Sequence, residues 1–225
     1  EKEIDRILRI LSGECAAQRE NILYDYDLLV QLDAIFARAQ LSYAMDAGRP
    51  TVRKRGGIDL KRARHPLLDQ AKAVPVTVEL GGDYDTLVIT GPNTGGKTVA
   101  LKTVGLLCLM AQTGLHVPCK EGLFPVLDQV LCDLGDGQSI EQNLSTFSSH
   151  VRRWVDILQK TTPDTLVLCD ELGNGTDPQE GMGLAVAMLE GLANRGALIL
   201  ATTHYPEIKT FAETTPGFLN ASMTF

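Results

Sequence analysis

The chain has 225 residues, 44% of them hydrophobic and 22% charged, and carries a net charge of −7. At about 150 residues per domain this is one full domain plus an attachment, long enough to bury a core without disulfides or metals. The composition excludes a disordered tail or a collagen-like fibre, and the acidic balance excludes a surface that clamps nucleic acid all over, leaving local contact or contact made elsewhere.

In chain order, residues 1–47 read as helix. Ile4, Ile7, Leu8 and Leu11 recur at helical spacing, as do Leu28, Leu29, Leu32, Ile35 and Phe36, and no proline precedes Pro50. We expect residues 1–48 to form a helical arm and 49–225 a separate domain. Composition shifts at Arg49-Pro50: from Arg49 to Lys72, eight Lys/Arg stand against Asp59 and Asp69. Such a charge run is either a solvated face or a patch that meets phosphates or a subunit. Short apolar runs then alternate with helical segments. Val74–Leu80, Leu87–Thr90, Val126–Leu131, Leu166–Cys169 and Ala197–Thr202 are expected to be strands; Lys97–Thr113, Ser145–Lys160 and Gln179–Asn194 are expected to be helices. The helix at Lys97 is apolar nearly all round and should be buried. Strand and helix in alternation imply βαβ units and an α/β fold with a mostly parallel sheet.

The five cysteines are odd in number and none has CxxC spacing, so neither a disulfide framework nor a zinc knuckle is indicated, in keeping with a reducing cytoplasm. No apolar stretch reaches the ~18 residues of a membrane span; the longest, Val99–Ala111, is broken by Lys102. The start, Glu1-Lys2-Glu3-Ile4-Asp5, lacks the apolar core of a signal peptide and begins inside a helical pattern. The sequence therefore reads as a piece of a longer protein.

The strongest chemical signal is Gly91-Pro92-Asn93-Thr94-Gly95-Gly96-Lys97-Thr98, which matches GxxxxGK[ST], the Walker A phosphate loop. Glycines let the backbone wrap a phosphate and aim its N–H groups inward. The following helix adds its positive N-terminal end. Lys97 supplies a charge to the β and γ phosphates and the Thr98 hydroxyl a ligand to Mg²⁺. An expected strand before the loop and an apolar helix after it supply the context that the motif needs.

Asp170-Glu171 closes the apolar run Thr165–Cys169 about seventy residues later. Acids at the carboxyl end of a strand lie where open α/β sheets bind ligands. Asp170 is placed to hold Mg²⁺, and Glu171 to orient or deprotonate an attacking water. His204 follows the next buried strand and is a candidate sensor of the γ phosphate. His65, His116 and His150 have no such placement and read as structural or surface residues.

Together, GPNTGGKT, Asn143-Leu144-Ser145-Thr146-Phe147, LVLCDELGNGTDP and Ala201-Thr202-Thr203-His204-Tyr205 resemble the MutS ATPase family. The runs Asp133–His150 and Asp177–Gly181 and the segment Asn220-Ala221-Ser222-Met223 are similar to its second bacterial branch. Asn174 departs from the Ala or Arg that much of the family carries there, and reads as turn variation. The resemblance implies a P-loop NTPase of the ABC-like class that uses ATP and Mg²⁺. Two copies would pair head to tail as a homodimer around two ATPs, with Lys97, Asp170, Glu171 and His204 from one subunit and Ser145, the signature serine, from the other. It implies an adenine pocket near Val74, Pro75 and Ser222. It further implies that DNA or ribosomes are gripped mainly by regions outside this chain, that a small nuclease domain lies elsewhere, and that no membrane is involved. A transporter nucleotide-binding subunit fits less well, because Asn143–Phe147 stands in place of LSGGQ. A nucleotide-gated binding module with negligible turnover in isolation is the alternative to an active ATPase.

Overall fold

The computed structural model describes residues 2–91, 95–134 and 146–223, and gives the helical backbone alone for residues 146–149. The chain divides into two compact units, residues 1–44 and 45–225. The first holds two helices, α1 (Lys2–Ala17) and α2 (Arg19–Ala44). Neither has a buried residue, and the apolar side chains that mark the helical pattern, Ile4, Leu8, Leu29 and Phe36 among them, are exposed.

The second unit is built on two sheets. The larger has five parallel strands in the order β6 (Gln129–Asp133), β7 (Thr165–Cys169), β8 (Leu198–Thr203), β4 (Thr86–Thr90) and β9 (Phe218–Ser222). Parallel neighbours need long crossovers. Here these are helical: α3 (Lys97–Gln112), α4 (Thr146–Lys160), α5 (Pro178–Ala193) and α6 (Pro206–Thr214). Helices on both faces bury both faces of the strands, so β7 and β8 are apolar without alternation. Strand parity then sorts the core. Leu166, Leu168, Leu198 and Leu200 point toward α3, while Val167, Cys169, Ile199 and Ala201 share a second cluster with Trp154, Ile157 and Leu189 of α4 and α5. Gly105 of α3 lies so close to β7 that a Cβ there would stand 2.6 Å from a methyl carbon of Leu168.

The smaller sheet has the order β1 (Thr51–Arg53), β5 (Glu121–Pro125), β2 (Ile58–Ala63) and β3 (Val76–Leu80). Its β1–β5 pair is parallel and the other two pairs are antiparallel. Ile58, Leu60, Val78, Leu80 and Phe124 pack it onto the α3 side of the core.

One sequence expectation is corrected here. The run Val126–Leu131 is not one strand. β5 ends at Pro125 and β6 begins at Gln129, and the chain passes from one sheet to the other between them. Leu127 is apolar because it plugs the core, and its N–H is taken by the Gln112 side chain, whereas Val126 is exposed and donates its N–H to the Arg53 carbonyl at the end of β1. Residues 49–72 keep six of their eight cations exposed, in keeping with a solvated face. They contain β1 and β2, and their cations are partly neutralised: Lys61 pairs with Asp59 at 2.8 Å, Arg64 with Asp46 at 2.9 Å and Lys72 with Asp69 at 3.7 Å.

Candidate active site

The site forms at the carboxyl ends of β4, β7 and β8. β4 delivers the chain to Gly91 with φ 133°, and Gly96 with φ 74° turns it into α3. Both are left-handed conformations that favour glycine. Among the described residues nothing lies within 4 Å of a Cβ built at either position, so the backbone angle accounts for the residue type. Lys97 and Thr98 therefore open α3, at the end of a helix whose free N–H groups attract anions. Lys97 is buried, and its ammonium donates to the Gly91 carbonyl. Burial lowers its pKa from the ordinary lysine range, and the charges of Asp170 and Glu171 act against that fall. Pro92, Asn93, Thr94 and Ser145 lie outside the described residues.

Asp170 follows β7 and is buried. Its carboxylate accepts the Thr98 hydroxyl at 2.7 Å and the Thr202 hydroxyl at 2.5 Å. The loop and the acid, 72 residues apart in sequence, are thus joined directly. A hydroxyl and a carboxylate are the hard oxygen donors that Mg²⁺ prefers, and this ion takes its remaining ligands from water and phosphates. The residues present fit it. Among the described residues no group of three or more His, Cys, Asp or Glu could hold a metal by itself, and a phosphate-bound Mg²⁺ does not require one.

Glu171 has φ 50°, a conformation rare for a residue with a Cβ and costing about 1–3 kcal/mol. The surroundings hold it there. The Glu171 N–H donates to the Thr202 hydroxyl at 2.8 Å, the Asn174 N–H donates to the Glu171 carbonyl at 3.1 Å, and the Asn174 side-chain amide donates to the Glu171 carboxylate at 3.1 Å. Asn174 is thus a direct neighbour of the candidate base, which its reading as turn variation missed; its position three residues on, inside a tight turn, was the available signal. His204, one residue past β8, brings Nε2 to 3.9 Å from the other Glu171 carboxylate oxygen. Tyr205 donates its hydroxyl to the Gly173 carbonyl at 3.2 Å and so ties this strand end to the turn after Glu171.

Beside the phosphate loop opens a mainly apolar cleft of about 590 Å³. His65, Val74 and Val76 form part of its wall, Gly95, Gly96 and Val99 border the loop, and Met223 closes one side. Val74, expected near an adenine, is 81% exposed and lines this cleft. Pro75 and Ser222 are not in its lining; their neighbours Val76 and Met223 are. The parallel register Thr90 to Ser222 explains why the segment after β9 arrives beside the loop that follows β4.

The model of the family described as MutS domain V matches residues 87–225. The chain belongs to the MutS family. Its match begins within β4 and takes in the loop, both acids and His204. Over its whole length the chain is 53% identical to a protein named Endonuclease MutS2 from Bacillus velezensis, and 53% identical to one of the same name from Geobacillus thermodenitrificans. It is 52% identical to a Putative endonuclease MutS2 from Bacillus subtilis. In each case it spans 29% of the relative's length. The α/β unit is a MutS-type ATPase domain, and use of ATP and Mg²⁺ is general to such domains. Among the described residues no helix is long and apolar enough to cross a membrane.

Proposed function

We propose that this chain binds Mg-ATP and hydrolyses it in a composite site completed by a second copy. The carrying observation is the meeting of Thr98, Asp170, Glu171 and His204 at adjoining strand ends. The apolar cleft that begins at Gly95 and Gly96 supports a place for the base.

Lys97 and the N–H groups at the start of α3 bind and orient the phosphates. Thr98 and Asp170 would hold Mg²⁺, which supplies charge neutralisation on the phosphate oxygens. Glu171, aimed by Asn174 and by its strained backbone, positions water and accepts its proton. His204 lies beside the same carboxylate and serves as the sensor of the γ phosphate. Ser145, immediately before α4 in sequence, completes the partner's site. Residues 1–48 form an arm and 49–225 the motor. The motor drives clamping on nucleic acid, either branched DNA or a stalled ribosome, gripped by the length of the protein that this chain does not cover. To that length we also assign the endonuclease activity in the relatives' names. A cytoplasmic setting fits the five free cysteines.

Glu171→Gln is expected to bind ATP, to lose turnover by about 10²-fold or more, and to accumulate as a dimer on a sizing column. Lys97→Ala is expected to lose both binding and turnover. Full turnover in Lys97→Ala would refute the assignment. Binding by the wild-type chain with no turnover at any protein concentration would favour the nucleotide-gated module instead.

A further inference from the structure

Asp133 is a buried carboxylate that the chemistry above does not use. It ends β6 opposite Cys169 of β7, and its side chain is 2% exposed. Three donors from α4 converge on it. His150 Nδ1 lies 2.9 and 3.0 Å from its two oxygens, Arg153 donates at 3.0 Å and the Trp154 indole N–H at 2.5 Å. Positions i, i+3 and i+4 share one helix face, so a single carboxylate grips the first turns of α4. Its main chain points the other way: the Asp133 carbonyl accepts the N–H of Asp170 at 2.8 Å. Asp170 in turn takes the hydroxyls of Thr98 and Thr202. One residue thus joins the candidate metal acid to the helix that follows Ser145.

We infer that Asp133 is a positioning residue that couples nucleotide occupancy of its own subunit's site to the orientation of α4, and so to the face offered to a second copy of this chain. The inference rests on the nucleotide reading above. A buried carboxylate with three donors has few alternative arrangements, because the Asp133 side chain, 2% exposed, cannot exchange those donors for water. Displacement of the Asp170 strand end is therefore passed to α4 as a unit, not absorbed locally.

Trp154 is the sole tryptophan of the sequence, so its emission reports on this cluster directly. Two measurements on the 225-residue chain test the coupling: binding of a fluorescent ATP analogue with Mg²⁺, and Trp154 emission on titration with unlabelled Mg-ATP. The expected result is saturable binding with a parallel shift of Trp154 emission. In Asp133→Asn, binding should stay within about threefold of wild type, the emission shift should disappear, and kcat should fall about 30-fold with KM changed less than about threefold. Arg153→Gln removes a half-exposed donor from the same carboxylate and should give a smaller fall in kcat with the same unchanged KM, even if Asp133→Asn does not fold. Saturable binding with silent Trp154, or a loss in either variant that appears in KM and not kcat, would overturn the coupling alone. Absence of binding by the wild-type chain would overturn the nucleotide reading and the coupling with it.

Discussion

The two sheets of the second unit differ in what their faces meet, and the difference divides the labour of the site. In the parallel sheet β7 and β8 are buried at every position. Polar groups are concentrated where these strands end, at Asp170, Glu171, Thr202 and Thr203. In the smaller sheet burial alternates, as in β3, where Val78 and Leu80 face inward while Thr77 and Glu79 are exposed. A strand dry on both faces fixes its end within the tolerance that phosphate chemistry requires. A half-solvated sheet can supply a wall for an apolar ring but holds no group at a reacting atom. The candidate site residues therefore stand on the first sheet, and the cleft wall at Val74 and Val76 borders the second.

Parity of cost is the most demanding test of this contrast. Ile199→Ala and Leu200→Ala point to opposite faces of β8, yet both should cost about 2–5 kcal/mol in urea unfolding. On β3, Val78→Ala should cost at least about 1 kcal/mol and Glu79→Ala less than about 0.5 kcal/mol. Equal costs on β3, or a cheap substitution on β8, would break the comparison. A smaller effect is expected at the cleft. Val74→Asp places a charge in an apolar wall and should raise KM for ATP about tenfold, or about 1.4 kcal/mol, with kcat unchanged. A fall in kcat instead would mean that this wall reaches the chemistry.

The smallest effect concerns thiols under each sheet. Burial pushes Cys108 of α3, between the sheets, up to about 12 and Cys119, beside the small sheet, up to about 11, from an ordinary 9.0. Because the folded values are raised, the stability that the neutral thiols contribute is intact below pH 9 and is lost as the pH climbs through the folded values. Denaturant midpoints should therefore begin to fall above pH 9, and Cys108→Ala should flatten that fall. At pH 8 an alkylating reagent should modify the exposed Cys15 and Cys132 and spare Cys108 and Cys169.

How far the sequence could be read follows the same division. The inner strands β4, β7 and β8 were legible because continuous apolar runs announce them, and the candidate residues Lys97, Thr98, Asp170, Glu171 and His204 stand at or just past their ends. β2 was hidden because Lys61, Arg62 and Arg64 mask its inward Ile58 and Leu60, and because Arg62, with φ 53°, interrupts the alternation at a bulge. The boundary between β5 and β6 was invisible because Leu127 is apolar for packing and not for pairing, and the exposed Val126 extends the apolar run. β9 was missed because Phe218–Ser222 mixes Asn and Ser into a strand that is only half buried, and α6 because its nine residues bury only Ile208 and Ala212. Contacts between distant side chains, such as those of Asp133 with His150, Arg153 and Trp154, carry no local pattern at all.

The register of β4 has a consequence for how such a protein is made. Its two neighbours, β8 and β9, lie about 110 and 130 residues further along the chain. At about 5–20 residues per second, a ribosome has released the phosphate loop for roughly 6–26 seconds before Phe218 appears. Until then the strand that feeds the loop lacks β9, one of its two partners, and the cleft lacks the side that Met223 closes. A nascent chain thus carries the complete phosphate-loop sequence well before both neighbours of β4 and the Met223 side of the cleft have been made.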